Sequence, residues 1–89
     1  MFYVYILESK QDGELYAGYT TNLVQGLKEH NRGENFSTKP GRPWTCRYYE
    51  ACLNEIDAKR RESYFKTTHG KRLLKLRLKE YLYNKKNSV

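Results

Sequence analysis

Apolar positions recur along this chain with two periods, separated by a stretch that has none. Phe2 to Glu8 alternates around Val4 and Ile6, the two-residue period of a strand. Glu14 to Tyr19 reads as its partner, and Asp12-Gly13 supplies the residues of a tight reversal between them. From Asn22 to about Arg32, Leu23 and Leu27 recur at i and i+4 behind Thr20 or Thr21 as N-cap, which predicts a helix. Arg32 to Pro43 is broken by Gly33, Pro40, Gly41 and Pro43 and reads as a loop. Trp44 to Cys52 is a third strand. Asn54 is placed to cap a helix from Glu55 to about Thr68, with Asp57 at the reciprocal box position and Gly70 as terminator. A last helix from Lys71 to about Tyr83 turns Leu74, Leu78, Tyr81 and Leu82 toward the core. The element order β-β-α-β-α-α makes an α+β domain over residues 1–83, followed by a polar tail, 84–89.

Register gives the first hairpin chemical content. Either a two-residue or a four-residue loop puts Tyr3, Tyr5 and Leu7 on one face with Tyr16 and Gly18. The longer loop sets Tyr5 opposite Gly18 with Tyr16 as its diagonal neighbour. A glycine facing a tyrosine predicts open space above the sheet, a place for a ligand. In the following helix Gly26 is conspicuous. Glycine in a helix interior costs roughly 1 kcal/mol relative to alanine, and no packing reason is visible in the sequence.

Eighty-nine residues make one small domain without linker or repeat. Nine tyrosines against three phenylalanines suit half-buried sheet faces, where rings pack and hydroxyls meet water. Net charge is +7, from 17 Lys and Arg against 10 Asp and Glu. That surplus favours a polyanionic partner bound through phosphates. No run approaches ~18 apolar residues and no charged leader precedes an apolar stretch, so a membrane is not expected and a cytoplasmic protein is. Cys46 and Cys52 share parity in one strand, which predicts one face but a separation of roughly 20 Å, too far for a disulfide. Zinc from Cys46, Cys52, His30 and His69 lacks a close ligand pair.

Four side chains can carry chemistry. Glu62 shares a helix face with Ala58 and Phe65 and so points toward packed surface, as an ion-pair partner of Arg61, Lys66 or a loop arginine, or as a ligand for a hard divalent cation. His30 closes the first helix as cap, base or phosphate contact. The reference pKa of a tyrosine is near ~10, so Tyr5 and Tyr16 need neighbouring positive charge to act as bases at neutral pH.

Tyr3-Val4-Tyr5, Tyr16-Ala17-Gly18 and the helix ending Leu27-Lys28-Glu29-His30-Asn31 resemble the GIY-YIG endonuclease superfamily, in particular its small stand-alone bacterial members. Arg42-Pro43-Trp44, Tyr48-Tyr49-Glu50-Ala51, Arg60-Arg61-Glu62-Ser63-Tyr64 and the segment Lys66 to Arg72 are similar to the same subgroup. The resemblance implies a three-stranded antiparallel sheet flanked by helices and a DNA endonuclease using one divalent metal, Mg2+ or Mn2+, for in-line attack by an activated water. Tyr5 and Tyr16 would position or deprotonate that water, His30 would assist, and Glu62 would hold the metal. Lys28, Arg32, Lys39 and Arg42 are the expected nucleic-acid contacts, on DNA that is branched or distorted. A cytoplasmic role in DNA repair is the expected setting.

One departure stands out: the resemblance places Gly26 where the family carries a helix arginine. A guanidinium contacts phosphate in a planar, bidentate way, and by analogy with phosphoryl-transfer arginines its loss removes on the order of 10³–10⁵ in rate. The expected activity is therefore a weakened endonuclease, with a non-catalytic DNA-binding module and a protein-interaction domain as the alternatives.

Overall fold

The computed structural model describes residues 1–86. Its elements are β1 (Phe2–Ser9), β2 (Leu15–Thr20), α1 (Leu23–Asn31), β3 (Trp44–Cys52), α2 (Glu55–Phe65), α3 (Thr68–Arg77) and α4 (Lys79–Lys86), with a 3-10 turn at Lys39–Gly41. The strands form one antiparallel sheet in the order β2-β1-β3. β1 is central because it is the most apolar strand, buried from Val4 to Ser9. The expected α+β architecture is the observed one.

Hairpin register follows the longer loop: Tyr5 lies opposite Gly18 and Tyr3 opposite Thr20. Gly13 takes φ +76° in the reversal, a conformation open to glycine at little cost. The two faces of the sheet are covered differently. Val4, Ile6 and Ala17 pack against Ala58, Phe65 and Leu74 from α2 and α3. Tyr5 and Leu7 pack with Trp44, Cys46, Leu23 and Leu27, so α1 covers the other face.

Several boundaries differ from the sequence reading. α1 is capped by Asn22, whose side chain accepts from the Gln25 amide, rather than by Thr20 or Thr21. Asn54 caps α2 as expected, but Asp57 pairs with Arg60 and does not close the reciprocal half of the box. α2 ends at Phe65, and Gly70 lies inside α3, whose cap is Thr67. A Cβ on Gly70 would lie 1.9 Å from the Tyr64 carbonyl oxygen, so close helix-to-helix approach, not chain termination, explains this glycine. The single last helix is two, interrupted at Leu78. Leu74 and Leu78 are buried, whereas Tyr81 and Leu82 are half-buried. Asn84 to Lys86 continue α4, and residues 87–89 of the expected tail lie outside the described residues.

A shift of register between Ile6 and Leu7 leaves Arg47 as an extra residue in β3. The bulge inverts the parity on either side of it. Cys46 therefore packs on the α1 face and Cys52 on the α2 face, which corrects the shared face expected from their spacing. Both are free thiols. Beside the bulge, Glu8 is only 4% exposed and receives Arg47, Tyr81 and Lys85, tying α4 to the central strand.

Candidate active site

Three elements converge on the α1 face near the β1–β2 hairpin. β1 presents Tyr5, β2 presents Tyr16, and the last turn of α1 presents His30. His30 faces inward because α1 buries the side that carries Gly26 and His30, four residues apart. The end of α1 is fixed by Asn31, whose side chain accepts from the Trp44 amide at 2.7 Å and donates to the Trp44 carbonyl at 3.0 Å.

The Tyr5 hydroxyl lies 2.7 Å from His30 Nε2, and His30 Nδ1 lies 2.8 Å from Thr38 Oγ1. Thr38 Oγ1 in turn reaches the Asn35 carbonyl at 3.4 Å, and the Thr38 carbonyl accepts from the Trp44 indole at 2.8 Å. One proton arrangement satisfies the whole chain: Thr38 donates to Asn35, His30 Nδ1–H donates to Thr38, and Tyr5 donates to Nε2. In the opposite tautomer the Tyr5 proton has no acceptor among the described residues. His30 is thus a neutral imidazole with its basic nitrogen aimed at a phenol. Burial lowers its pKa from the ordinary histidine value, the Glu29 charge opposing more weakly. Burial, with the charges of Tyr16 and Glu62 adding to it, raises that of Tyr5.

Tyr16 differs from Tyr5. Its ring stands edge-on to His30 at 5.4 Å and tilted against Trp44 at 6.2 Å, yet its half-buried hydroxyl has no hydrogen-bond partner among the described residues. One phenol is anchored; the other is free. The open space expected over Gly18 does not exist: a Cβ there would lie 2.3 Å from Tyr5 Cζ, because the Tyr5 ring fills it.

Glu62 projects from α2, which packs on the opposite face of the sheet, and its side chain is 24% exposed. Its charge nevertheless contributes to the upward shifts of both Tyr5 and Tyr19. Lys66, one turn on, pairs with Glu62 at 3.3 Å and holds its ammonium 5.2 Å from the Tyr16 ring centroid. Lys66 therefore stands between the Glu62 carboxylate and the Tyr16 ring, as its i+4 spacing from Glu62 allows.

The expected loop cations are elsewhere. Arg32 pairs with Glu34 at 2.6 Å, and Arg42 donates to the Lys39 carbonyl at 3.0 Å while lying over Gly33. Lys28 and Lys39 are exposed on α1 and the 3-10 turn. Gly26 is buried against Thr20, where an added Cβ would lie 3.3 Å from Oγ1. Thr38 is the participant that sequence reading missed. It is 1% exposed inside a segment with no periodicity, and nothing in the sequence distinguishes it from Ser37 or Thr20.

The family model of the GIY-YIG catalytic domain matches residues 1–77. The chain belongs to the GIY-YIG family. A UPF0213 protein of Staphylococcus haemolyticus is 40% identical over 75 residues, 83% of this chain and 90% of its own. One of Clostridium perfringens is 43% identical over 67 residues, 74% of this chain and 71% of its own. One of Halobacterium salinarum is 40% identical over 63 residues, 70% and 80% of the two chains. No solved structure matches.

GIY-YIG proteins form a nuclease family that acts on nucleic acid and generally uses divalent metal ions. The donor set of this member suits a particular kind of ion. No three His, Cys, Asp or Glu side chains converge among the described residues, so Glu62 offers a single carboxylate. A hard cation such as Mg2+, which takes most of its ligands from phosphate and water, fits such a site; zinc does not. Among the described residues no helix is long and apolar enough to cross a membrane.

Proposed function

We propose that this chain is a cytoplasmic DNA endonuclease that hydrolyses phosphodiesters with Mg2+ or Mn2+, weakened by glycine at position 26. The observation that carries the reading is the Tyr5–His30–Thr38 chain of hydrogen bonds standing beside the free Tyr16 hydroxyl in a GIY-YIG domain.

The residues divide the work by environment. Thr38 holds His30 in the Nδ1–H form, so Nε2 accepts the Tyr5 proton whenever Tyr5 is asked to take one from a water. Tyr5 holds its proton more firmly than ordinary tyrosine, burial being the largest cause. Tyr16, with no internal partner, meets the water or the scissile phosphate directly. Lys66 places positive charge beside Tyr16. Glu62 would hold the divalent ion, which when bound supplies charge against the developing negative charge on the leaving oxygen. That role requires Lys66 to release Glu62, an exchange of one cation for another. Lys28, Arg32, Lys39 and Arg42 would track the backbone of a branched or distorted duplex.

The test is nicking of supercoiled plasmid and cleavage of a branched duplex with Mg2+ or Mn2+. Nicking by the wild type should fall on the order of 10²–10⁴-fold in His30→Ala and in Glu62→Ala, and rise in Gly26→Arg. Nicking that survives both alanine substitutions would be a contaminant's, and the proposal would fail. A second reading, a non-catalytic DNA-binding module, is favoured by the engagement of Arg32, Arg42 and Arg61 with Glu34, the Lys39 carbonyl and Glu50 in place of either phenol. It predicts salt-sensitive binding with no nicking in any variant, Gly26→Arg included.

A further inference from the structure

Behind Tyr16, on the side away from α1, a cleft of about 560 Å3 opens between β2 and α3. Ala17, Phe65 and Leu74 make its floor apolar, and Lys66, Lys71 and Lys75 stand along it. Lys71 and Lys75 are one turn apart on α3, both exposed, and neither has an ion-pair partner among the described residues. Glu14 is the only carboxylate lining it. Tyr16 and Lys66 belong both to this cleft and to the candidate active site, so the two are continuous.

We propose that this cleft is a second nucleic-acid subsite, which grips the backbone of the strand beyond the scissile phosphate. Two ammonium groups unpaired among the described residues and one helical turn apart, Lys71 and Lys75, with Lys66 lining the same apolar-floored cleft, match a polynucleotide, in which phosphates recur along one edge while sugars present less polar surface between them. Lysine suits the task, since its stem lies along apolar surface while its charge stays in water and meets each phosphate as a point charge. Because Tyr16 and Lys66 line both the cleft and the candidate site, a strand held along Lys71 and Lys75 runs directly onto that site.

The subsite deepens the nuclease reading and rests on it for the direction of the strand, but its test needs no cleavage. A fluorescein-labelled duplex is titrated with protein in EDTA at several KCl concentrations. Each phosphate contact contributes about 0.9 to the slope of log affinity against log salt. Lys71→Ala/Lys75→Ala should lower that slope by about 1.8 and weaken binding at low salt on the order of ten- to a hundredfold. Lys79→Ala, on the exposed start of α4, serves as a control and should change the slope by less than one contact.

An unchanged slope in the double variant, with an unaltered thermal midpoint, overturns the subsite. So does a wild type that does not bind the duplex at all. Nicking with an unchanged slope would defeat the subsite and leave the nuclease reading standing. A reduced slope without nicking in any variant would do the reverse.

Discussion

The Tyr5 hydroxyl and His30 Nε2, on a central strand and the last turn of a helix twenty-five residues later, lie 2.7 Å apart. Each is 6% exposed, so neither can exchange its partner for bulk water. Tyr5→Phe therefore leaves a buried imidazole nitrogen without its donor. A buried group left unpaired costs about 1–3 kcal/mol, and the thermal midpoint should fall accordingly. Nicking should fall as well, whereas Tyr16→Phe, which breaks no internal hydrogen bond, should lower nicking with little change in the midpoint. Urea denaturation and plasmid nicking of both variants check the split.

Thr38→Val tests the tautomer. Valine keeps the volume of a side chain that is 1% exposed but removes the acceptor for His30 Nδ1–H. The imidazole then has no reason to keep its proton on Nδ1, and the Nε2 form, which cannot accept from Tyr5, gains population. Nitrogen chemical shifts of His30 should show Nδ1–H in the wild type and a mixture in the variant. Thr38→Ser, which retains the hydroxyl, should behave as wild type.

Acid should expose the same histidine thermodynamically. Burial lowers the His30 pKa below its unfolded value. Between the two values the unfolded chain binds the extra proton and the folded chain does not, so stability rises with pH across that window. It is lost as pH falls from about 6.5, the ordinary histidine value, and is complete above it. The thermal midpoint of His30→Gln should be flatter than wild type over that interval, because its side chain does not titrate. The pH–rate profile for nicking should lose activity on the same acid limb.

Glu8 predicts a second, lower pH transition at the far end of the sheet. Burial opposes its charge, but hydrogen bonds from Lys85, Tyr81 and Arg47 outweigh burial and hold its pKa below the ordinary carboxylate value. A lowered carboxylate pKa contributes stability above the unfolded value, about 4.3, which disappears as pH falls through the folded one. Glu8→Gln should remove that acid transition and destabilise by about 1–3 kcal/mol at neutral pH. The figure stays below that of a fully buried pair because Arg47 and Lys85 reach water. Amide exchange in α4 should accelerate selectively, since Tyr81 and Lys85 are its ties to β1.

How much of this was readable in the chain depends on the kind of information each feature carries. The three strands and the shared face of Tyr3, Tyr5, Tyr16 and Gly18 followed from parity and turn residues, which are local; the choice between the two loop lengths, which puts Tyr5 opposite Gly18, did not. Glu62 shares a helix face with buried Ala58 and Phe65, as its spacing implied, but is itself half-buried and paired with Lys66. What failed was non-local. The bulge at Arg47 reverses the faces of Cys46 and Cys52, and it arises from how β3 meets β1, not from the composition of β3. Gly70 looks like a helix terminator until Tyr64 is found 1.9 Å from where its Cβ would be. Thr38 lies in an aperiodic loop, and only tertiary contact distinguishes it. Glu8 gave no sign of burial because its partners are up to seventy-seven residues away.

The effect of Gly26 on stability can be measured apart from its proposed effect on rate. Alanine in place of an interior helix glycine should gain about 1 kcal/mol in propensity. Here the new Cβ meets Thr20 Oγ1 at 3.3 Å, a tight contact with a side chain that is itself held by Asn22, and Thr20 Cβ and Cγ2 at the ordinary distances of 3.4 and 3.5 Å. Displacing Thr20 weakens the hydrogen bonds its hydroxyl makes just before α1, which offsets the gain. Gly26→Ala should therefore leave the thermal midpoint nearly unchanged. In a Thr20→Ala background, where the Oγ1 that makes the 3.3 Å contact is gone, the same substitution should become stabilising. The double-mutant cycle measures the coupling directly. An equal gain in both backgrounds would mean Thr20 does not restrict position 26, and would leave the glycine without a packing reason.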